Sequence, residues 1–215
     1  MAAAAGAAGR DPTSIRLVAV SKTFPIEAVR EAYAAGQREF GENRVQEGLQ
    51  KIGETTDLTI RWHLLGHLQT NKARRAGPAF AMVQSVDSVE LMQKLDDAAA
   101  EAGRAPELLI QVDLAGEATK FGAPPAEVPR LFEIAGACRA ASVVGLMTLP
   151  PVPDTPEDAR PFFRRLRELR DEWLAAGVSA SMLRELSMGM SGDFEVAIEE
   201  GATIVRVGTA IFGSR

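Results

Sequence analysis

Short apolar segments of strand length alternate along the chain with segments of helical period, and this alternation is the feature that most constrains the fold. Helical segments such as PIEAVREAYAAG and SVELMQKLDDAAAEAG are opened by proline or serine and closed by glycine, as helix ends prefer. Alternating β and α units indicate a parallel sheet covered by helices. Eight strands are predicted, at 15–22, 37–43, 60–66, 80–86, 107–114, 142–149, 183–188 and 204–209.

Eight βα units in 215 residues predict a single α/β domain, a compact (β/α)8 barrel of the TIM type with short loops. A doubly wound open sheet is the structural rival, but no GxGxxG motif follows the first strand to support its dinucleotide-binding version. Residues 15–215 are assigned to the barrel. Residues 1–14 are rich in alanine and glycine, and we expect a shortened lead-in that is disordered or a partial helix. Unless this lead-in covers it, the seam between strands eight and one should expose apolar surface.

Composition narrows the possible partners. The net charge is −5 without a basic stripe, so neither nucleic acid nor an anionic membrane is an expected partner. Cys138 is the single cysteine, which excludes an internal disulfide and fits the reducing cytoplasm. No secretory signal or membrane-spanning segment is recognisable. We therefore expect a cytoplasmic protein, a monomer or weak dimer, that binds a small molecule.

Lys22 follows the first apolar strand, in the segment RLVAVSKTFP. Working residues of a (β/α)8 barrel lie at the C-terminal ends of its strands. A lysine that is partly buried there has a lowered pKa, and its neutral amine can attack a carbonyl to form a Schiff base. A lysine that merely extends from the barrel rim into solvent is the alternative interpretation.

The ends of strands seven and eight predict a phosphate site. Ser187 offers a hydroxyl, and Gly189 and Gly192 let the backbone approach an anion next to a helix predicted to begin near residue 193. Gly208 and Thr209 supply the second half of the cradle, where barrels commonly bind phosphate.

A carbonyl-reactive lysine opposite a phosphate cradle suggests pyridoxal 5'-phosphate (PLP) as the cofactor. Arg206 lies inside an apolar strand and requires an acceptor, which the pyridine nitrogen of PLP can provide. A guanidinium is always a donor, so it would leave that nitrogen unprotonated and weaken the ring as an electron sink. A buried ion pair with a carboxylate of another strand is the alternative for Arg206.

Five segments together resemble the YggS/PROSC family of PLP-homeostasis proteins, whose fold is that of the N-terminal barrel of alanine racemase. The segments are LVAVSKT, FGENRVQE, WHLLGHLQTNK, GLMTLPP and LSMGMSGDFEVAIEEGATIVRVGTAIFG, and the resemblance extends from about residue 16 to residue 213. It implies a carrier or regulator of intracellular PLP without strong catalytic turnover, with PLP-dependent apo-enzymes as possible recipients.

The resemblance also implies roles for individual residues. Lys22 would carry PLP as a Schiff base and Arg206 would face the pyridine nitrogen. The phosphate would be held by Ser187, Gly208 and Thr209. Three further residues, in family motifs that line the pocket, complete the implied set: Asn43, His63 and Met147.

Two other functions remain open from the sequence. A PLP-dependent amino-acid racemase would need a second proton donor opposite the lysine. Tyr33, the single tyrosine, is badly placed for that role because it lies in the first helical segment. A cofactor-free aldolase would use the Lys22 amine directly on a phosphorylated sugar. His63 and His67 lie four residues apart, but in a strand-to-loop segment they would not share a face, so no metal site is predicted.

Overall fold

The computed structural model describes residues 1–116 and 121–213. Eight parallel strands pair in sequence order, and β1 pairs with β8 to close the barrel. This arrangement confirms the predicted (β/α)8 fold. The strands are β1 Arg16–Val20, β2 Glu39–Glu42, β3 Arg61–Leu64, β4 Met82–Val86, β5 Glu107–Gln111, β6 Ser142–Met147, β7 Glu185–Ser187 and β8 Ile204–Val207.

Helices follow or precede the strands around the outside of the barrel. Short 3-10 turns, such as Pro125–Glu127 and Pro156–Ala159, lead into two of them. The helices of the described residues are α1 Ala2–Ala7, α2 Ile26–Ala34, α3 Val45–Glu54, α4 Ala73–Ala76, α5 Val89–Glu101, α6 Val128–Ala135, α7 Arg160–Ala175, α8 Phe194–Glu199 and α9 Thr209–Phe212.

Seven of the eight strands end earlier than the sequence predicts, and β4 ends at Val86 as predicted. The apolar run of the first strand predicts an end at Lys22, whereas β1 ends at Val20. The eighth strand is predicted to reach Thr209, but β8 ends at Val207 and Thr209 begins α9. The register explains the first difference, because Val20 is the last residue of β1 that faces a partner, Gly41 of β2. The polar residues at the strand ends therefore lie in the loops of the barrel mouth.

Apolar side chains form two packed layers. The larger one fills the space between the strands and the outer helices and includes Phe40, Trp62 and Phe163. The smaller one fills the inside of the barrel and contains Val18, Val20, Leu65, Met82, Leu109, Val144, Met147 and Ile204. Inward and outward residues alternate along each strand, so the interior is a packed core.

The lead-in is ordered against the barrel. Ala4 and Ala5 of α1 are buried, and Arg10 donates from Nη1 to the carbonyls of Ile198 (2.8 Å) and Ala202 (2.7 Å). Helix α1 thus packs on α8, next to β8. At the closing seam, β1 and β8 pair from Arg16 opposite Ile204 onward, and Ile15 is buried beside them.

Candidate functional site

A cavity of about 400 Å³ opens at the C-terminal ends of the strands. It lies between the loops that follow β1, β2, β3, β6, β7 and β8. Its size is in the range of small-molecule sites. The residues that line it are Val20, Lys22, Asn43, Leu65, Gly66, Leu149, Met190, Ser191, Gly192, Arg206, Gly208 and Thr209. Five of the eight predicted site residues belong to this lining: Lys22, Asn43, Arg206, Gly208 and Thr209.

Lys22 lies two residues beyond the end of β1 and lines the cavity with an exposed side chain. The sequence predicts a partly buried amine at this position, so the exposure is a difference from expectation. It arises because β1 ends at Val20 and the chain has already left the barrel wall. The backbone of the preceding residue is still anchored, since Ser21 N–H donates to the Gly41 carbonyl at 3.1 Å.

Arg206 reaches the cavity from inside the barrel. It is 4 % exposed, and its guanidinium donates to Ser187 Oγ (2.6 Å) and to the Thr148 carbonyl (2.9 Å). Burial lowers the pKa of Arg206 to about 10, against the opposing charge of Asp193, and the group remains a cation at neutral pH. No carboxylate among the described residues forms a salt bridge with it, so its partners are neutral acceptors. The alternative of a buried ion pair is therefore not what the structure shows.

Ser187 does not line the cavity, and its role in the phosphate cradle stays a prediction. The residue is completely buried at the end of β7 with its side chain inside the barrel. Since a guanidinium can only donate, Ser187 Oγ accepts from Arg206 and gives its own hydrogen to Gln84 Oε1, at 2.6 Å. The hydroxyl of Ser187 therefore accepts one hydrogen bond and donates one within the barrel, which connects Arg206 to Gln84.

Ser191, the second serine of the motif LSMGMSGD, lines the cavity, whereas Ser187 does not. Its Oγ accepts from Gly208 N–H (3.2 Å) and Ala210 N–H (3.4 Å) and so joins the β7–α8 loop to the start of α9. A hydroxyl accepts two bonds and donates one. Its hydrogen has no acceptor in the described part of the chain and remains for a ligand in the cavity.

His63 and Met147 also lie outside the cavity lining, and their roles in the pocket stay predictions. Each is fully buried within the barrel, because the strand alternation directs it inward below the mouth. The Nε2 of His63 lies 2.7 Å from Glu39 Oε2, and its Nδ1 lies 2.9 Å from Gln84 Nε2. Burial lowers the pKa of His63 and outweighs the Glu39 carboxylate, with Arg16 and Arg61 adding to the decrease.

One continuous series of hydrogen bonds thus crosses the barrel interior. Gln84 gives its amide hydrogen to Nδ1 of neutral His63, which leaves the proton of the ring on Nε2, facing Glu39. The side-chain oxygen of Gln84 accepts a hydrogen bond from Ser187 Oγ, and Ser187 Oγ in turn accepts one from Arg206. The series thus connects Glu39 at one side of the barrel to the guanidinium of Arg206, which also donates to the Thr148 carbonyl.

The loops after β2 and β3 approach each other closely beside Asn43. A Cβ atom at Gly66 would lie 2.2 Å from the Asn43 carbonyl oxygen, a distance that no side chain can occupy. Glycine at position 66 therefore allows these two lining residues to form one wall.

The second histidine, His67, lies at the surface and not inside the barrel. His67 is exposed, stacks on Phe121 with ring centroids 3.5 Å apart, and lies 3.4 Å from Asp87. His63 and His67 consequently do not converge. Within residues 1–116 and 121–213 no group of three potential metal ligands is found.

Sequence reasoning missed seven lining residues. Ser191 could have been found, since it lies between Gly189 and Gly192 in a loop, whereas Ser187 ends a strand. The sequence predicts that Gly192 lets the backbone approach an anion, but Gly192 is not among the eight residues that the family resemblance implies. The remaining five carry no chemical signal that separates them from ordinary core or loop residues: Val20, Leu65, Gly66, Leu149 and Met190.

Comparisons with known proteins agree on the family. Residues 7–215 match the family model described as alanine racemase, N-terminal domain. Proteins named pyridoxal phosphate homeostasis protein from Aquifex aeolicus and Pseudomonas aeruginosa are each 46% identical to this chain, covering 97% and 99% of it and 90% of their own length.

Solved structures show the same relationship. PipY of Synechococcus elongatus with PLP bound is 45% identical, with a TM-score of 0.85 over 97% of both chains. Alanine racemase of Clostridium difficile is 17% identical, with a TM-score of 0.74 over 94% of this chain and 53% of that one, and it shares the fold. The chain therefore belongs to the alanine racemase N-terminal domain family and, within it, to the pyridoxal phosphate homeostasis proteins.

Proposed function

We propose that this protein binds PLP at the barrel mouth, covalently through Lys22, and takes part in intracellular PLP homeostasis as a carrier or regulator. The observation that carries the proposal is the convergence of three kinds of group on one cavity. These are the Lys22 amine, the Arg206 guanidinium and the paired loops that Ser191 joins. The relatives named for PLP homeostasis and the PLP-bound PipY structure support the same ligand.

The residues present fit PLP group by group. Ser191, Gly192, Gly208 and Thr209 lie at one side of the cavity, where the Ser191 hydroxyl has a hydrogen to donate to phosphate. Arg206 offers a cation that is buried without a carboxylate partner in the described residues. Such a group interacts favourably with a neutral acceptor such as a pyridine nitrogen.

When bound, PLP supplies an aldehyde that reacts reversibly with amines and a ring that withdraws electrons from the attached group. Arg206 limits the second property, because its guanidinium donates a hydrogen bond and releases no proton at neutral pH. Lys22 provides the primary amine for attachment as a Schiff base. These residues therefore suit reversible attachment of PLP, and they stabilise a carbanion on the bound group only weakly.

Release to PLP-dependent apo-enzymes in the cytoplasm is the corresponding cellular role. The exposed side chain of Lys22 and the open mouth allow an incoming amine to reach the attachment point. In residues 1–116 and 121–213 no helix is long and apolar enough to cross a membrane.

The absorption spectrum of purified protein titrated with PLP tests the proposal. Wild type should develop a visible Schiff-base band that borohydride bleaches, and Lys22→Ala should lack it while remaining folded. Lys94→Ala is the matched control, because this exposed lysine on α5 pairs only with Glu90 in the described residues. A band that survives in Lys22→Ala, or no band in wild type, would refute the site.

Two assays separate the alternatives. A racemase would interconvert amino-acid enantiomers at a rate that depends on PLP, and we expect no such turnover. An aldolase would cleave phosphorylated sugars without PLP, and borohydride would then trap the sugar on Lys22. We expect trapping with PLP alone.

A further inference from the structure

A group of charged side chains, most of it buried, forms hydrogen bonds to the residues on both sides of Lys22. On its N-terminal side, Lys51 Nζ donates to the Ser21 carbonyl at 2.7 Å, and Ser21 Oγ donates to Glu42 Oε1 at 2.6 Å. Lys51 also lies 2.7 Å from Glu42 Oε1 and 3.1 Å from Glu47 Oε1. We refer to Glu42, Glu47 and Lys51 as the charge clamp.

On the C-terminal side of Lys22, the clamp holds a backbone conformation that is unfavourable for its residue. Thr23 has φ +66°, and among the described residues no other non-glycine residue has a positive φ. A β-branched side chain strongly disfavours this region. The Thr23 N–H donates to Glu47 Oε1, so the strained peptide is tied directly to the clamp.

Stability alone explains the clamp poorly. The side chains of Glu42 and Lys51 are 0% and 7% exposed, and Glu42 Oε2 has no hydrogen-bond partner in the described part of the chain. Removing charges from water offsets most of the attraction between them, and apolar residues of similar volume often serve a fold as well. Burial accordingly raises the pKa of Glu42 despite the contacts with Lys51 and Ser21.

The clamp also connects two loops of the mouth without entering the cavity. Glu42 ends β2 immediately before the lining residue Asn43, while Glu47 and Lys51 occupy successive turns of α3. None of the three clamp residues lines the cavity. An effect of the clamp on a ligand therefore passes through neighbouring backbone, at Ser21 and Thr23 beside Lys22 or at Asn43 beside Glu42.

We propose that Glu42, Glu47 and Lys51 are positioning residues that fix the backbone on both sides of Lys22 and so aim its amine into the cavity. The inference rests on the proposed attachment of PLP to Lys22. Attachment depends steeply on the placement of the reacting atoms, and a shift of about 1 Å can change a rate roughly 100-fold.

The test measures the rate at which the Schiff-base band appears after PLP is mixed with apo-protein. Lys51→Met and Glu47→Ala should slow attachment at least about tenfold, while Glu47→Gln, which keeps an acceptor for Thr23 N–H, should recover most of the rate. Glu47 is partly exposed, so its variants keep the test valid if Lys51→Met fails to fold.

Arg160→Met is the matched control. Arg160, the first residue of α7, lies 3.1 Å from the largely buried carboxylate of Glu200, which directly follows α8 and also pairs with Arg164 and Arg167, away from the cavity lining. A general loss of stability would slow attachment in this variant as well, whereas the proposed role leaves its rate at the wild-type value.

Two further measurements test the clamp. The first is made on apo-protein, and the second relieves the backbone strain at Thr23. Amide exchange at Thr23 in apo-protein should accelerate in Glu47→Ala and return towards the wild-type rate in Glu47→Gln. Thr23→Gly should raise the melting temperature because it relieves the positive φ, and yet slow attachment because glycine loosens the loop.

Wild-type attachment rates in both Glu47→Ala and Thr23→Gly would overturn the inference. That outcome differs from failure of the proposed function, in which wild type itself forms no band on Lys22.

Discussion

Replacing Ser187 with alanine removes the hydroxyl that joins Arg206 to Gln84 inside the barrel. The substitution leaves Arg206 Nη1 and Gln84 Oε1 without their shared partner, since Ser187 Oγ lies 2.6 Å from each. Both groups lie in a part of the protein that water reaches poorly, as Ser187 and Gln84 are 0% exposed.

The expected loss follows from these two contacts. A hydrogen bond to a charged group contributes about 1.5–3 kcal/mol, and a buried neutral acceptor left unpaired costs about 1–3 kcal/mol. Arg206 keeps its bond to the Thr148 carbonyl and borders the cavity, which reduces the penalty. We expect a decrease of about 3 kcal/mol in the free energy of unfolding, or roughly 6–12 °C in melting temperature for a domain of this size.

Urea unfolding of apo-protein measures this loss, with Ser191→Ala as the matched control. Ser191 is half-buried and accepts from two backbone N–H groups that water can satisfy, so its loss should change apo-stability by less than about 1 kcal/mol. The same control should weaken PLP binding about tenfold or more, because it removes a donor to phosphate.

The reverse pattern would refute the reasoning. If Ser187→Ala left apo-protein as stable as wild type while Ser191→Ala did not change PLP affinity, the series of hydrogen bonds to Arg206 would carry no stability and Ser191 would not donate to the phosphate.

Three further predictions concern other parts of the molecule. Burial lowers the pKa of His63, so below about pH 6.5 only the unfolded chain gains this proton, and stability should decrease as the pH falls, by up to about 1.4 kcal/mol per unit; urea unfolding at several pH values should show a weaker pH dependence in His63→Gln than in wild type. Burial, with Asp96 and Asp97 nearby, raises the pKa of Cys138 to about 11; a disulfide reagent at pH 7.5 should react over about tenfold more slowly with folded than unfolded protein. Gly66→Ala should lower stability by about 1–3 kcal/mol and weaken PLP binding, because the new Cβ displaces the Asn43 loop; calorimetry and titration test both effects.

The order and number of strands were predictable because most strands lie in apolar segments between turn residues and alternate with segments of helical period, although β2 and β7 are short and partly polar. Their C-terminal ends were not, since β1 and β8 end where pairing with a neighbour stops, not where the apolar run stops. The sequence contains no local signal for that register. The same limit explains why Lys22 is more exposed than expected.

The site was predictable where residue chemistry is unusual for its position, as for Lys22, Arg206 and the Gly208–Thr209 pair. Ser187 and Ser191 have the same chemistry, and only the end of β7 at Ser187 decides which one faces the cavity. His63 faces inward because Trp62 and Leu64 pack outward, and this alternation is visible in the segment WHLL. The charge clamp depends on contacts across β1, β2 and α3, and of these only the i,i+4 spacing of Glu47 and Lys51 is visible in the sequence.

Peptide mapping of borohydride-reduced wild-type protein tests the central claim most directly. Protein saturated with PLP is reduced, digested and analysed by mass spectrometry for lysines that carry the pyridoxyl group. The account predicts one stoichiometric label, on the peptide that contains Lys22. A label on Lys51, Lys72 or Lys120 in its place would contradict the account.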